Sequence, residues 1–197
     1  MPKGADNASL ILEAARRLFL DRGFAATSMD AVAKQAGVSK ATVYALFESK
    51  DALFADMVAS EGDAQTSALF DDVDGHATGV LLRFGHDAAD LLLREEVLAI
   101  QRIVATEARR SPAIGQLYYA SGPEQLVLDL ANYLEGAMKR GELRTAPARV
   151  AAAQFLQIIV GDLQFRSIIG VAGAATVDER AMYVESGVAV FLRAYAR

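Results

Sequence analysis

Apolar residues recur at intervals of three and four along almost the whole chain, and the period-two alternation of a half-buried strand is nearly absent. That spacing confines the fold to packed helices. Ile11, Ala14, Ala15, Leu18 and Phe19 share one stripe, which stops at Arg22-Gly23. Met29, Val32, Ala33 and Ala36 form a second, closed by Gly37. Leu53, Phe54, Met57 and Val58 are the buried side of another. Ser28, Ser39 and Ser49 stand where N-caps belong, with Asp30 and Asp51 in the first turns that follow. Alanine, the best helix former, supplies 38 of the 197 residues.

The segment 61–79 turns small and polar, and reads as the end of the fourth helix, a short helix near 65–70 and a connecting loop. Helical spacing resumes over 80–93 and 95–109. Ser111-Pro112 opens another helix, Gly122-Pro123 breaks or kinks it, and the chain stays helical to Arg140-Gly141. Ala146-Pro147 opens a very apolar helix to about Gly170, and a last helix covers 177–196. The expected fold is all-α: a three-helix helix-turn-helix domain over 1–60, joined to a larger helical domain over 61–197.

Several chemistries are excluded by composition. The absence of Cys removes disulfides, thiolate metal sites and cysteine nucleophiles, and the two histidines, His76 and His86, leave little for acid–base work. Residues 62–197 hold no Gly-rich phosphate loop, no G-x-S-x-G and no His pair at ligand spacing. We therefore expect no enzyme, no cofactor and no metal. Residues 1–9 lack a secretory pattern, and the uncharged run from Val150 to Gly161 is well short of the ~20 residues a bilayer requires. A soluble, cytoplasmic protein is expected.

The net charge of −5 argues at first against a nucleic-acid partner. Its distribution changes that reading. Residues 1–50 carry seven Lys and Arg against five Asp and Glu, net +2, and the remainder carries net −7. The acidity belongs to the body of the chain, and the amino-terminal end is left mildly basic. Modest non-specific affinity and a shallow salt dependence follow from so few cations.

Met29 to Phe47 is a helix, a turn at Gly37-Val38-Ser39 and a second helix, the plan of a helix-turn-helix. Ala33 and Ala36 let the helices cross closely, and Val38, Val43 and Phe47 are assigned to the core. Ser39, Lys40, Thr42, Tyr44 and Ala45 are left for an exposed side. Four phrases in order then carry a resemblance: A-x-x-L-F-x-x-x-G-F (Ala15 to Phe24), A-x-x-A-G-V-S (Ala33 to Ser39), T-V-Y-x-x-F (Thr42 to Phe47) and S-K-x-x-L (Ser49 to Leu53). The stretch from Ile11 to Val58 resembles the DNA-binding domain of TetR-family transcriptional regulators.

That resemblance implies DNA contacts by Thr27, Ser28, Ser39, Lys40, Ala41, Thr42, Tyr44 and Lys50. Ser39–Phe47 would be the recognition helix, with Lys40 near a base edge or phosphate and Thr42 and Tyr44 on the backbone. Thr27 or Ser28 would meet a phosphate at the start of the preceding helix, and Lys50 matches the family's phosphate-binding lysine. Ala45 and Leu46 depart from the polar or aromatic residues many relatives carry there. The leading arm, 1–9, holds only Lys3, which argues against minor-groove anchoring.

The helix from Arg149 to Gly170 is apolar nearly all round, so it needs a partner beyond its own core. On the last helix, Val177, Ala181, Val184, Val188, Phe191, Leu192 and Tyr195 read as core. Tyr183, Gly187, Val190 and Ala194 read as an interface. Together the two helices predict a homodimer, as the resemblance also implies, reading two half-sites of a near-palindromic double-stranded operator. The resemblance implies in addition a pocket for a small-molecule effector. Polar groups interrupting apolar faces nominate Arg102, Thr106, Tyr118, Tyr133, Gln157 and Asp162, a pattern suited to a small, largely apolar ligand. The phrasing of the carboxy-terminal part also looks like the AefR-like branch of the family. The expected function is a ligand-responsive transcriptional regulator, read as a repressor that its effector releases from DNA. An alternative is a helical interaction protein that has lost specific DNA binding, which Ala45 and Leu46 keep open.

Overall fold

A computed structural model of the chain describes residues 3–66, 76–171 and 173–197, the side chains of 3–6 and 61–66 excepted. Ten helices lie among them. They are α1 (Lys3–Arg22), α2 (Met29–Ala36), α3 (Lys40–Leu46), α4 (Lys50–Thr66), α5 (Ala77–Leu92), α6 (Glu95–Glu107), α7 (Pro112–Ser121), α8 (Pro123–Lys139), α9 (Ala148–Ile168) and α10 (Val177–Tyr195). Among the described residues the only strand-like pairing is an isolated bridge between Leu143 and Ala196. The chain is all-α, as its periodicity requires.

The boundaries follow the caps and breakers, with three differences. The leading segment is helical from Lys3 and is not an extended arm. Helix α4 continues through Gly62 to Thr66; the remainder of the expected short helix and loop, 67–75, lies outside the described residues. Helix α5 starts at Ala77, ahead of its apolar stripe. His76 makes no side-chain cap there. Instead the Glu142 carboxylate accepts the Ala77 N–H at 2.7 Å, a cap supplied from 65 residues away.

Two compact units emerge, one from Met1–Ala64 with Ala99–Gly122, the other from Gln65–Leu98 with Pro123–Arg197. In the first, the rings of Phe19, Phe24 and Phe54 form a triangle with centroids 5.4–5.5 Å apart. Ile11, Val32, Val43, Leu53 and Met57 are buried with them, and Ile100 and Ile114 complete the cluster. In the second, Phe155 lies between Phe84 at 6.0 Å and Phe191 at 5.1 Å. Leu81, Leu130, Leu134, Ile159 and Val184 close around these rings. Each fully buried Phe contributes about 1.5–3 kcal/mol through the surface it removes from water.

Helix α9 is the axis of the second unit, with α8 and α10 packed on it. One side buries Phe155, Leu156, Ile159 and Val160, while Val150, Ile158, Phe165 and Ile169 stand exposed on another. Two residues of α10 differ from expectation. Val177, expected in the core, is 70% exposed at the helix start. Gly187, expected at an intermolecular interface, is buried inside the chain: a Cβ there would meet the Cγ2 of Ile159 at 2.9 Å and of Ile158 at 3.0 Å. The close approach its missing side chain allows is that of α10 to its own α9.

Candidate nucleic-acid interface

Helix α2 is defined at both ends by short-range chemistry. Ser28 is extended, and its Oγ accepts the Ala31 N–H at 3.1 Å. Gly37 is left-handed at φ 69°, which lets its N–H reach the Lys34 carbonyl and the Val38 N–H reach that of Ala33. Ser39 then caps α3, accepting the Thr42 N–H at 3.1 Å, with the two hydroxyls 2.8 Å apart. Val43 is fully buried and Phe47 nearly so, and these two residues fix the rotation of α3. Lys40, Ala41, Tyr44 and Ala45 are turned outward; Tyr44 is 54% exposed and Leu46 42%. Seven helical residues extend about 10 Å, a length that enters a major groove about 12 Å wide.

The residues around α3 are less independent than their spacing suggests. Lys40 pairs with Asp30 of α2, ten residues back, a partner sequence reasoning missed because it credited Asp30 only with favouring the helix N-terminus. Ser28 is exposed. Thr27 is buried, its hydroxyl directed at the carbonyls of Gly23 and Leu18, 2.9 and 3.2 Å away. Ser28 is therefore the hydroxyl of that pair which faces solvent. The Lys50 ammonium donates to the carbonyls of Phe24 (2.7 Å), Thr27 (2.9 Å) and Ala25 (3.4 Å). It also sits 4.3 Å from the centre of the Phe24 ring.

The six candidate effector residues are divided between the units. Arg102, Thr106 and Tyr118 belong to the first, and Tyr133, Gln157 and Asp162 to the second. Thr106 is exposed and donates its hydroxyl proton to the Arg102 carbonyl at 2.9 Å. Burial pushes the Tyr118 hydroxyl above its ordinary pKa, with a hydrogen bond from the Gln101 side chain acting the other way. Gln101 itself escaped sequence reasoning, although its Oε1 is shielded from solvent with no hydrogen-bond partner among the described residues. Tyr133 is half-buried, and its pKa is raised by desolvation and by Glu142, against the pull of Arg140. Gln157 and Asp162 are exposed on α9, on the side that also carries Ile158 and Phe165. Asp162 accepts the Tyr183 hydroxyl at 3.0 Å and pairs with Arg166 at 3.0 Å.

Among the described residues there is no cluster of metal-ligating side chains, and no helix is long and apolar enough to cross a membrane. A capped helix, a left-handed glycine turn and a second capped helix with an outward Lys40-Ala41-Tyr44-Ala45 face define a helix-turn-helix DNA-binding protein. The chain belongs to the TetR family of transcriptional regulators. Residues 11–57 match the bacterial regulatory protein, tetR family model, and residues 79–197 match that of the AefR-like transcriptional repressor carboxy-terminal domain.

Among relatives, the HTH-type transcriptional regulator YhgD of Bacillus subtilis (strain 168) is 51% identical over 49 residues, which is 25% of this chain and 26% of YhgD. YvkB of the same organism is 26% identical over 163 residues, 81% of this chain and 82% of YvkB. Among solved structures, the flavonoid-responsive regulator FrrA superposes with a TM-score of 0.79 at 35% identity, covering 98% of each chain.

Proposed function

We propose that the chain acts as a homodimer which binds a near-palindromic operator, represses there, and is released by a small, largely apolar effector. The observation that carries this reading is the outward face of α3, held in rotation by Val43 and Phe47 and bounded by the Ser39 cap. Lys40 and Ala41 meet base edges, Ser39, Thr42 and Tyr44 the flanking backbone, and Ser28 a phosphate. Thr27 and Lys50 complete the set from the inner side of the α1–α2 turn. Residues 1–60 serve as the reading head and 61–197 as the effector-binding and dimerisation part, working in the cytoplasm where the DNA is.

The exposed Val150, Ile158, Phe165 and Ile169 of α9, with Met182 and Val190 of α10, support a seam between two copies. FrrA, by its name, responds to flavonoids, which are aromatic molecules. That supports an aromatic effector here, with Arg102, Thr106 and Tyr118 of the first unit and Tyr133, Gln157 and Asp162 of the second as two separate sets of candidate polar contacts. Effector binding shifts the population toward a conformer whose recognition helices no longer match two half-sites, and release follows from the difference in affinity.

A gel shift with the DNA flanking the gene tests the reading. Wild type is expected to shift it, with Lys40→Ala and Tyr44→Ala each weakening binding by about tenfold, the scale of one good DNA contact. Absence of a shift at low salt would leave the helical interaction protein, which the apolar Ala45 and Leu46 favour.

A further inference from the structure

Gln101 Oε1, on α6, is shielded from solvent and accepts no hydrogen bond among the described residues. Other shielded polar atoms are answered: Arg166 Nε has the Asp162 carboxylate at 3.0 Å, and the Tyr133 hydroxyl has the Arg140 guanidinium. A shielded acceptor without a donor is costly, so its presence in a folded chain calls for a cause. The other half of the Gln101 amide is spent on Tyr118 of α7, whose phenolic oxygen takes an N–H from it. That leaves the Tyr118 O–H its own proton to give.

The pair therefore offers one acceptor beside one donor, both uncharged. Turning the amide over exchanges the two roles and leaves the same complement. The surroundings are apolar: Ile103, Val104 and the Tyr118 ring, all half-buried, pack on the cluster that buries Ile100 and Ile114 of the same two helices. Arg102, the next residue, lies about 100° round α6 and does not share the face of Gln101. A hydroxyl both donates and accepts, and so answers the pair completely. A methyl group would answer neither partner, and a carboxylate would set its lone pairs against the orphaned acceptor. We propose that Gln101 and Tyr118 form a polar subsite of the effector site, and that the effector meets it with a neutral hydroxyl carried on an aromatic body. The subsite lies wholly within the compact unit that holds the reading head, so its occupant acts on that unit directly. The inference rests on the effector-responsive reading above and narrows its ligand to a chemical class.

Three probes of one shape test it: 2-naphthol, 2-methylnaphthalene and 2-naphthoate. The chain has no Trp, so naphthalene fluorescence reports their binding to the full-length protein without interference from indole. Wild type is expected to bind 2-naphthol more tightly than either of the others. Gln101→Leu and Tyr118→Phe are each expected to weaken 2-naphthol about tenfold more than 2-methylnaphthalene, the scale of one hydrogen bond to a shielded group. Continued binding of 2-methylnaphthalene shows that a variant is folded. The inference is overturned if wild type binds no probe, or binds 2-methylnaphthalene or 2-naphthoate as tightly as 2-naphthol. It is equally overturned if the variants weaken all probes alike, the result of a purely structural role. A gel shift of the DNA flanking the gene by the same wild-type protein separates the two readings. A shift without discrimination among probes leaves the regulator and removes the subsite; discrimination without a shift does the reverse.

Discussion

Thr27 shows how a buried residue can shape the turn beside a proposed interface. Its hydroxyl is 2% exposed with its residue and bridges toward the carbonyls of Gly23 and Leu18, closing the turn that delivers Ser28 to the surface. Thr27→Val keeps the shape and deletes the donor, leaving two carbonyls poorly paired. Denaturant melts are expected to show a loss of about 1–2 kcal/mol; an unchanged midpoint would mean that water replaces the hydroxyl. Glu142 makes a second residue-scale case, through charge. Its carboxylate receives the Arg140 guanidinium and the Ala77 N–H, which hold its pKa below the usual 4.5. A depressed carboxylate pKa means the unfolded chain binds the proton more readily, so this contribution is present above pH 4.5 and disappears as pH falls through the folded value. Glu142→Gln lacks it at every pH. The stability curves of the two proteins are therefore expected to converge on acidification below pH 4.5, and curves that stay parallel would assign the bond no role.

At the scale of elements, what was legible in the sequence is what local chemistry decides. The caps Ser28, Ser39 and Ser49 each bond an N–H three residues on, and Gly37 needs only its own φ, so their positions can be read without knowing the fold. Lys50 and Thr27 could not be read this way. Their partners are backbone carbonyls, which every residue possesses, and for Lys50 these lie 23 to 26 residues distant. Gly187 was legible as a close approach but not as to which helix approaches, because periodicity gives a face and not its neighbour. Its Cβ position lies 3.3 Å from the Ile159 Cα as well as against two isoleucine methyls, so backbone and side chains must both yield to any substituent. Gly187→Ala is expected to cost about 1–3 kcal/mol, the usual penalty for overpacking, seen as a lowered thermal midpoint. A neutral result would show that α10 slides on α9 without loss.

At the scale of the whole molecule, reading two half-sites requires two copies held at a fixed spacing, about 34–36 Å or a multiple of it along the DNA. One copy contributes a recognition helix of seven residues and little positive charge around it. On the proposed reading a single copy binds weakly, and affinity depends on the pair being joined before it meets DNA. The candidate seam is the outer side of α9, where Phe165 is 61% exposed and Ile169 52%. An isologous contact repeats every pairing twice across its two-fold axis, so a charge introduced there is buried against apolar surface twice over. Phe165→Glu is expected to convert the proposed dimer to monomers in sedimentation at micromolar concentration while leaving helix content and the melting of each chain nearly unchanged, because Phe165 packs in neither core. Operator affinity should fall more than a hundredfold, the scale of a lost second site, although α3 is untouched. A Phe165→Glu protein that stays dimeric would place the seam elsewhere, and one that is monomeric yet binds DNA as tightly as wild type would separate DNA reading from dimerisation altogether.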